Sequence, residues 1–148
     1  MQLSESISAI LKQKGGLVCS IFPTSSVYDA IAMMAEKQVG ALLVVVEGKI
    51  VGIISERDYA RKVILKGRSS KDTSVSEIMS SPVIAVSPEH TVGECMKIIT
   101  DHRIRHLPVL DQERLVGVIS IGDLVNWIIS SQNETIRHLE AYITGTPT

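Results

Sequence analysis

Gly52-Ile53-Ile54-Ser55-Glu56-Arg57-Asp58 returns 65 residues later as Gly117-Val118-Ile119-Ser120-Ile121-Gly122-Asp123. Outward from it, the same offset holds without a gap over Val18–Ile64 and Val83–Ile129. Pro23/Pro88, Val27/Val92, Leu42/Leu107, Val44/Val109, Val51/Val116 and Ile64/Ile129 are identical, and Ile21/Val86, Val39/Ile104 and Ile50/Leu115 are conservative. Two ungapped copies imply two similar units, expected to pack about a pseudo-two-fold axis with two related clefts at the seam. Two copies are too few for a solenoid, which needs about three or more.

Hydrophobic periodicity gives each copy the order β-α-β-β-α. Leu17–Phe22 is apolar and β-prone up to Pro23. Ser25 or Ser26 can cap a helix in which Val27, Ala30, Ile31, Met34 and Ala35 share a face. Ala41–Val46 is a continuous apolar run, as in a strand covered on both faces. Glu47-Gly48-Lys49 turns it back into Ile50–Ile54, and a helix from Ser55 runs to about Lys66 before Gly67. The second copy repeats this with a strand Val83–Val86, a helix from Thr91 to about His102, strands His106–Leu110 and Leu115–Ile119, and a helix from Ser120 toward Tyr142. Before the copies stand Ser4–Lys14, a short amphipathic helix stopped by Gly15-Gly16, and Val75–Met79, a brief helical turn that mirrors it. The expected organisation is therefore a lead-in over 1–16, repeat 1 over 17–67, a polar linker over 68–74, repeat 2 over 75–130 and a helical extension over 131–148, an α+β fold in which the pair is the folding unit.

Bulk properties narrow the function. At 148 residues, 45% hydrophobic and 21% charged, the chain is an ordinary globular domain. A net charge of −1 gives no pull toward nucleic acid or an anionic membrane. Phe22, Tyr28, Tyr59, Trp127 and Tyr142 are too few for a base-stacking platform. The amino terminus, with Glu5 early and no basic region before an apolar stretch, does not read as a secretory signal, so a cytoplasmic setting is expected. Cys19 and Cys95 are isolated among apolar neighbours and read as buried thiols rather than a disulfide or a metal site.

The same residues resemble the cystathionine-β-synthase (CBS) domain family, as a stand-alone tandem pair, or Bateman module. The resemblance is carried by Pro23-x₃-Val27-x-Asp29-Ala30 and Pro88-x₃-Val92-x-Glu94, by Val39-Gly40-Ala41-Leu42 and Ile104-Arg105-His106-Leu107-Pro108-Val109, and by the two Ser-x-x-Asp stretches. Val75-x-Glu77-Ile78-Met79 also fits. It covers about Gly16 to Trp127. The family implies a non-catalytic regulatory module with adenine ligands (AMP first, or ADP, ATP, S-adenosylmethionine or an NAD-type molecule) in its two clefts. It also implies a disc-like homodimer formed through the helices carrying Ala30–Met34 and Met96–Ile99, and an effector protein in trans.

The resemblance assigns the sites. Asp58 and Asp123 would each accept from two ribose hydroxyls, a charge-assisted arrangement stronger than neutral contacts. Each Asp would otherwise only charge the first turn of its helix. Ser55 and Ser120, at the helix starts, are N-caps or phosphate ligands. The Asp58 cleft would gain Ile104, Arg105 and His106 from the second repeat, with the Ser81–Ile84 region; with Arg57 this set suits a phosphate. The Asp123 cleft, with Gly122, would gain Val39, Gly40 and Ala41, with Lys14–Cys19 nearby. It is poorer in cations and is expected to bind phosphate less tightly. Ile21, Val39, Ile84 and Ile104 are the expected adenine walls. His90 and His102 are expected to be surface residues without partners. The competing reading is a structural dimerisation module with degenerate clefts. Enzymatic and nucleic-acid roles are disfavoured, since no nucleophile elbow, Walker loop or metal motif is present.

Overall fold

The computed structural model describes residues 2–15 and 18–144. Gly16 at the expected helix stop, Leu17 at the start of the expected first strand, and 145–148 of the extension lie outside the described residues. A 3₁₀ turn at Gln2–Ser4 leads into α1 (Ser8–Lys14), β1 (Ser20–Ile21), α2 (Val27–Lys37), β2 (Ala41–Val46), β3 (Lys49–Ser55) and α3 (Glu56–Tyr59). α4 (Val75–Ile78), α5 (Val92–His102), β4 (His106–Asp111), β5 (Arg114–Ser120) and α6 (Ile121–Thr144) follow.

The repeat is reproduced down to its irregularities. β2 pairs antiparallel with β3 and β4 with β5, and each ladder slips at the same place, between Val44 and Val45 and between Val109 and Leu110. α2 and α5 both end in a left-handed residue, Gln38 and Arg103. Their N-caps, Ser26 and Thr91, accept from the amides of Asp29 and Glu94. Leu42, Leu43 and Val44 are buried, as are Leu107 and Val109 at equivalent positions, which fits a strand covered on both faces.

The compact units are not the sequence repeats themselves. One is Leu17–Ile84; the other joins Met1–Gly16 to Ala85–Thr148. Each lead-in belongs with the other copy, and both dock by the same bonds. In the first unit Val75 and Ser76 donate to the carbonyls of Ser25 and Pro23, and Val27 donates to Thr73. In the second, Ile7 and Ser8 donate to His90 and Pro88, and Val92 donates to Glu5. These bonds supply acceptors for amides at the α2 and α5 starts, which have no partner within their own helix. The linker residue Thr73 is buried for this reason, its hydroxyl donating to Ser69 O. Val75 and Ile78 enter the first unit's core beside Val27, Ala30, Met34, Leu42, Val44 and Ile54. Ile7 and Ile10 are buried in the second unit, as are Val92, Cys95, Ile99, Leu107, Ile119 and Leu124.

Several expected elements are corrected. The strand expected at Val83–Val86 is a single parallel bridge, Val86 to Val109, with Val86 N–H donating to Pro108 O and Leu110 N–H to Val86 O; its counterpart in the first copy, Ser20–Ile21, is nearly as short. The first strand shrinks to Ser20–Ile21, with Phe22 turned out to solvent before Pro23. The helix from Ser55 changes pitch: after α3 it continues as a π-helical turn over Ala60–Ile64, with Leu65 N–H donating to Ala60 O. That turn buries Val63 and leaves Ile64 and Leu65 exposed. Ala35, expected on the apolar face of α2, is exposed. Ala30, Met34 and Ile99, on the helices expected to form a dimer, are buried within their own units. Both cysteines are free, Cys95 buried and Cys19 half-buried. His90 is not partnerless, since its Nδ1 accepts from the Ser87 amide at 2.9 Å.

Candidate functional site

Each unit turns from its last strand into a helix through the same Ser-x-x-Asp corner. In the first, Ser55 Oγ accepts from the Asp58 amide at 3.2 Å, and Asp58 Oδ2 accepts from the Ser55 amide at 3.0 Å, a reciprocal capping box. In the second, Ser120 Oγ accepts from Asp123 N at 3.1 Å and Asp123 Oδ2 accepts from Ser120 N at 2.9 Å. The start of the middle strand braces the corner: Glu56 N–H donates to Gly40 O, and Ile121 N–H donates to Arg105 O. Across the ladder Ala41 faces Ser55 and His106 faces Ser120. Both serines are therefore N-caps, and both carboxylates are held in fixed orientation.

Each carboxylate also carries a cation that the sequence reading did not pair with it. Lys62 Nζ lies 3.1 Å from Asp58 Oδ1 and donates to the Ile78 carbonyl at 2.9 Å. Ser80 Oγ is 3.5 Å from the same Oδ1. Lys14 Nζ donates to Asp123 Oδ2 at 2.7 Å and to the Val118 carbonyl at 2.8 Å. The Asp–Lys spacing of one helical turn was a signal for the first pair. The second joins residues more than a hundred apart and has no local signal; the family resemblance set Lys14–Cys19 near the Asp123 cleft without pairing Lys14 with the carboxylate.

The electrostatics of the second corner follow from these contacts. Burial pushes the Asp123 carboxyl up, but the Lys14 hydrogen bond and charge and the Ser120 amide and hydroxyl outweigh it and hold it below the usual aspartate value. Burial lowers His106, helped by the charges of Lys14 and Arg105 and opposed by Asp123, so the imidazole is biased to its neutral form. A cleft of about 230 Å³ opens beside Asp123, lined by Ile10, Gln13 and Lys14 of α1 and by Asn126, Trp127 and Ser130 of α6.

Of the residues singled out from sequence, the first unit brings Gly40, Ala41, Ser55 and Asp58 together, with half-buried Arg57 in the first turn of α3. Ile21 is in the core, Val39 packs partly buried against it, and Ile84 is half-buried outside any strand. The second unit brings Arg105, His106, Ser120 and Asp123 together; Gly122 is exposed, and Ile104 N–H closes the α5 end on Ile99 O. Among the described residues no group of three or more His, Cys, Asp and Glu gathers to hold a metal, and no helix is long and apolar enough to cross a membrane.

The family model of the CBS domain matches residues 18–65 and 75–130. A CBS domain-containing protein of Arabidopsis thaliana, CBSX3, mitochondrial by its description, is 43% identical over 96% of this chain and 73% of its own. A solved structure from Burkholderia ambifaria, described as a signal-transduction protein with CBS domains, is 51% identical, with a TM-score of 0.83 over 86% of this chain and 96% of its own. The CBS domain pair of the protein MJ0100, crystallised with 5′-methylthioadenosine and S-adenosyl-L-methionine, shares the fold at a TM-score of 0.76, 23% identical, over 86% of this chain and 98% of its own. Two matched repeats, the duplicated corner and these likenesses make the chain a member of the CBS domain family, with one CBS domain pair.

Proposed function

We propose that the chain is a regulatory, non-catalytic module that binds an adenine nucleotide, AMP foremost, at its Ser-x-x-Asp corners and signals to a partner protein in trans. The observation that carries this reading is the duplicated corner itself. Asp58 and Asp123 are each fixed through the amide of a serine and each faces a lysine that a ligand can displace. A carboxylate so oriented is a ready acceptor for two vicinal ribose hydroxyls. The reciprocal box alone does not set these corners apart, since Ser74–Glu77 and Thr91–Glu94 close the same one; their recurrence at the strand-to-helix turn that ends each repeat's hairpin does. The adenosine-based ligands of the MJ0100 pair add support for the ligand class. Completion of each cleft from the opposite repeat, with Ile104, Arg105 and His106 serving Asp58 and Val39, Gly40 and Ala41 serving Asp123, rests on the family resemblance. A cytoplasmic homodimer is part of the same reading.

Binding can shift a conformational equilibrium only by the ligand's differential affinity for the two states. A thermal-shift panel of AMP, ADP, ATP, NAD and S-adenosylmethionine on wild type, Asp58→Ala and Asp123→Ala tests the reading. A ligand at about 100 times its dissociation constant adds about 2.7 kcal/mol of stability. A shift removed by one of the two alanines supports the reading and names the corner. No shift from folded protein with any ligand turns the choice to a structural dimerisation module.

A further inference from the structure

We propose that Lys14 makes the Asp123 corner selective for phosphorylated nucleosides: its ammonium passes from the carboxylate to the ligand's phosphate as the ribose hydroxyls take its place on Asp123. This rests on the adenine-nucleotide reading above and adds to it the charge of the ligand and the residue that selects it.

Lys14 Nζ occupies Asp123 Oδ2 at 2.7 Å, the oxygen that also takes the Ser120 amide. A ribose that spreads its two hydroxyls over both carboxylate oxygens therefore competes with an ammonium at Oδ2. An uncharged nucleoside would separate that ion pair and offer the ammonium nothing in return. A phosphate offers it a stronger partner, since charge-assisted bonds to phosphate are among the strong ones. Lysine suits such an exchange of partners, as a compact charge on a flexible stem. The side chain is 39% exposed and keeps the Val118 carbonyl as a second anchor. The space beside it suits part of a nucleotide: at about 230 Å³ the cleft lies below the roughly 300–1,000 Å³ typical of whole small-molecule pockets. Its polar lining, Gln13, Asn126 and Ser130, offers amide and hydroxyl donors around the ammonium. The Asp58 corner differs because Lys62 stands one turn along the same helical segment and also binds Ile78 O, whereas Lys14 is brought by α1 from the far end of the sequence.

Trp127 is the chain's only tryptophan and lines this cleft, so its fluorescence reads the Asp123 corner directly. The full chain is titrated with AMP and with adenosine as wild type, Lys14→Met and Lys14→Arg, each checked as folded by circular dichroism. In wild type and Lys14→Arg, AMP should bind about tenfold or more tighter than adenosine, the scale of one charge-assisted hydrogen bond. In Lys14→Met the two affinities should converge, with adenosine binding no worse than to wild type. Equal affinities in wild type, or a preference that survives Lys14→Met, would overturn the role of Lys14 while leaving the adenine site standing. A fluorescence titration flat for both compounds in all three folded proteins overturns this role together with adenine binding at Asp123.

Discussion

Glu113, with φ 66°, stands at the turn position that Gly48 holds with φ 78° in the other repeat. Both follow a left-handed residue, Glu47 or Gln112, and close a two-residue hairpin turn with φ positive at each centre. Glycine adopts this conformation freely, whereas a residue with a Cβ gives up about 1–2 kcal/mol there.

Glu113→Gly should therefore stabilise the protein, by about 0.5–1 kcal/mol once the greater freedom of glycine in the unfolded chain is subtracted. Gly48→Ala, which meets no atom within 4 Å and so tests φ alone, should destabilise by a similar amount. Urea midpoints of the two variants, read against wild type, check both signs.

Gly52 and Gly117 share a position but not a neighbour. A Cβ on Gly52 would lie 2.5 Å from Met79 Sδ and 3.1 Å from the Ser80 carbonyl, whereas one on Gly117 would meet only Leu11, at the tip of a side chain. Leu11 can rotate away; the Ser80 backbone, bonded both ways to Ile53, cannot. Gly52→Ala should cost about 1–3 kcal/mol and Gly117→Ala clearly less, a difference that denaturant melts of the two proteins will show.

Ile10 and Ile78 are buried residues of the lead-ins, each lying with the repeat it does not precede. Truncation of either to alanine should cost about 2–5 kcal/mol, as for a buried core isoleucine. Hydrogen exchange locates the effect: Ile78→Ala should loosen β2 and β3 of the first repeat, and Ile10→Ala should loosen β4 and β5. Loosening of the repeat that follows each lead-in would contradict the exchange.

His106 predicts an acid-sensitive stability. Its folded-state affinity for a proton is lowered by burial and by Lys14 and Arg105, against the opposing charge of Asp123. The unfolded chain therefore binds that proton first as pH falls below about 6.5, and stability should decline from there toward the folded value. His106→Gln should flatten this part of the profile. Urea melts at pH 7.5 and pH 5 on both proteins measure it, and an unchanged slope in the variant would assign the decline to other groups.

Much of this was legible in the sequence because it is set by local chemistry. Periodicity placed α2, α5 and the β2–β3 and β4–β5 hairpins, and Ser26 and Thr91 announce their helices by side-chain type. The Ser-x-x-Asp corners are local as well, since a capping box closes within four residues. Val83–Val86 misled because β-propensity describes a residue's fit to a pleated surface, not whether a partner edge is available. Only Val86 meets an edge, at Val109 of β4, while Ser80 before it pairs with Ile53 of β3. The π-helical turn after Tyr59 was invisible for a similar reason, since which residue reaches the core is settled by packing.

The sequence by itself determined two copies, their element order, their turns and the paired aspartates, because each depends on contacts within a few residues or on a constant offset. Only the tertiary structure decided that each lead-in docks with the opposite repeat. Only it placed Lys14 on Asp123. Both are meetings of segments far apart along the chain, and their partners are selected by packed surfaces and by backbone groups that need acceptors, neither of which has a linear signature.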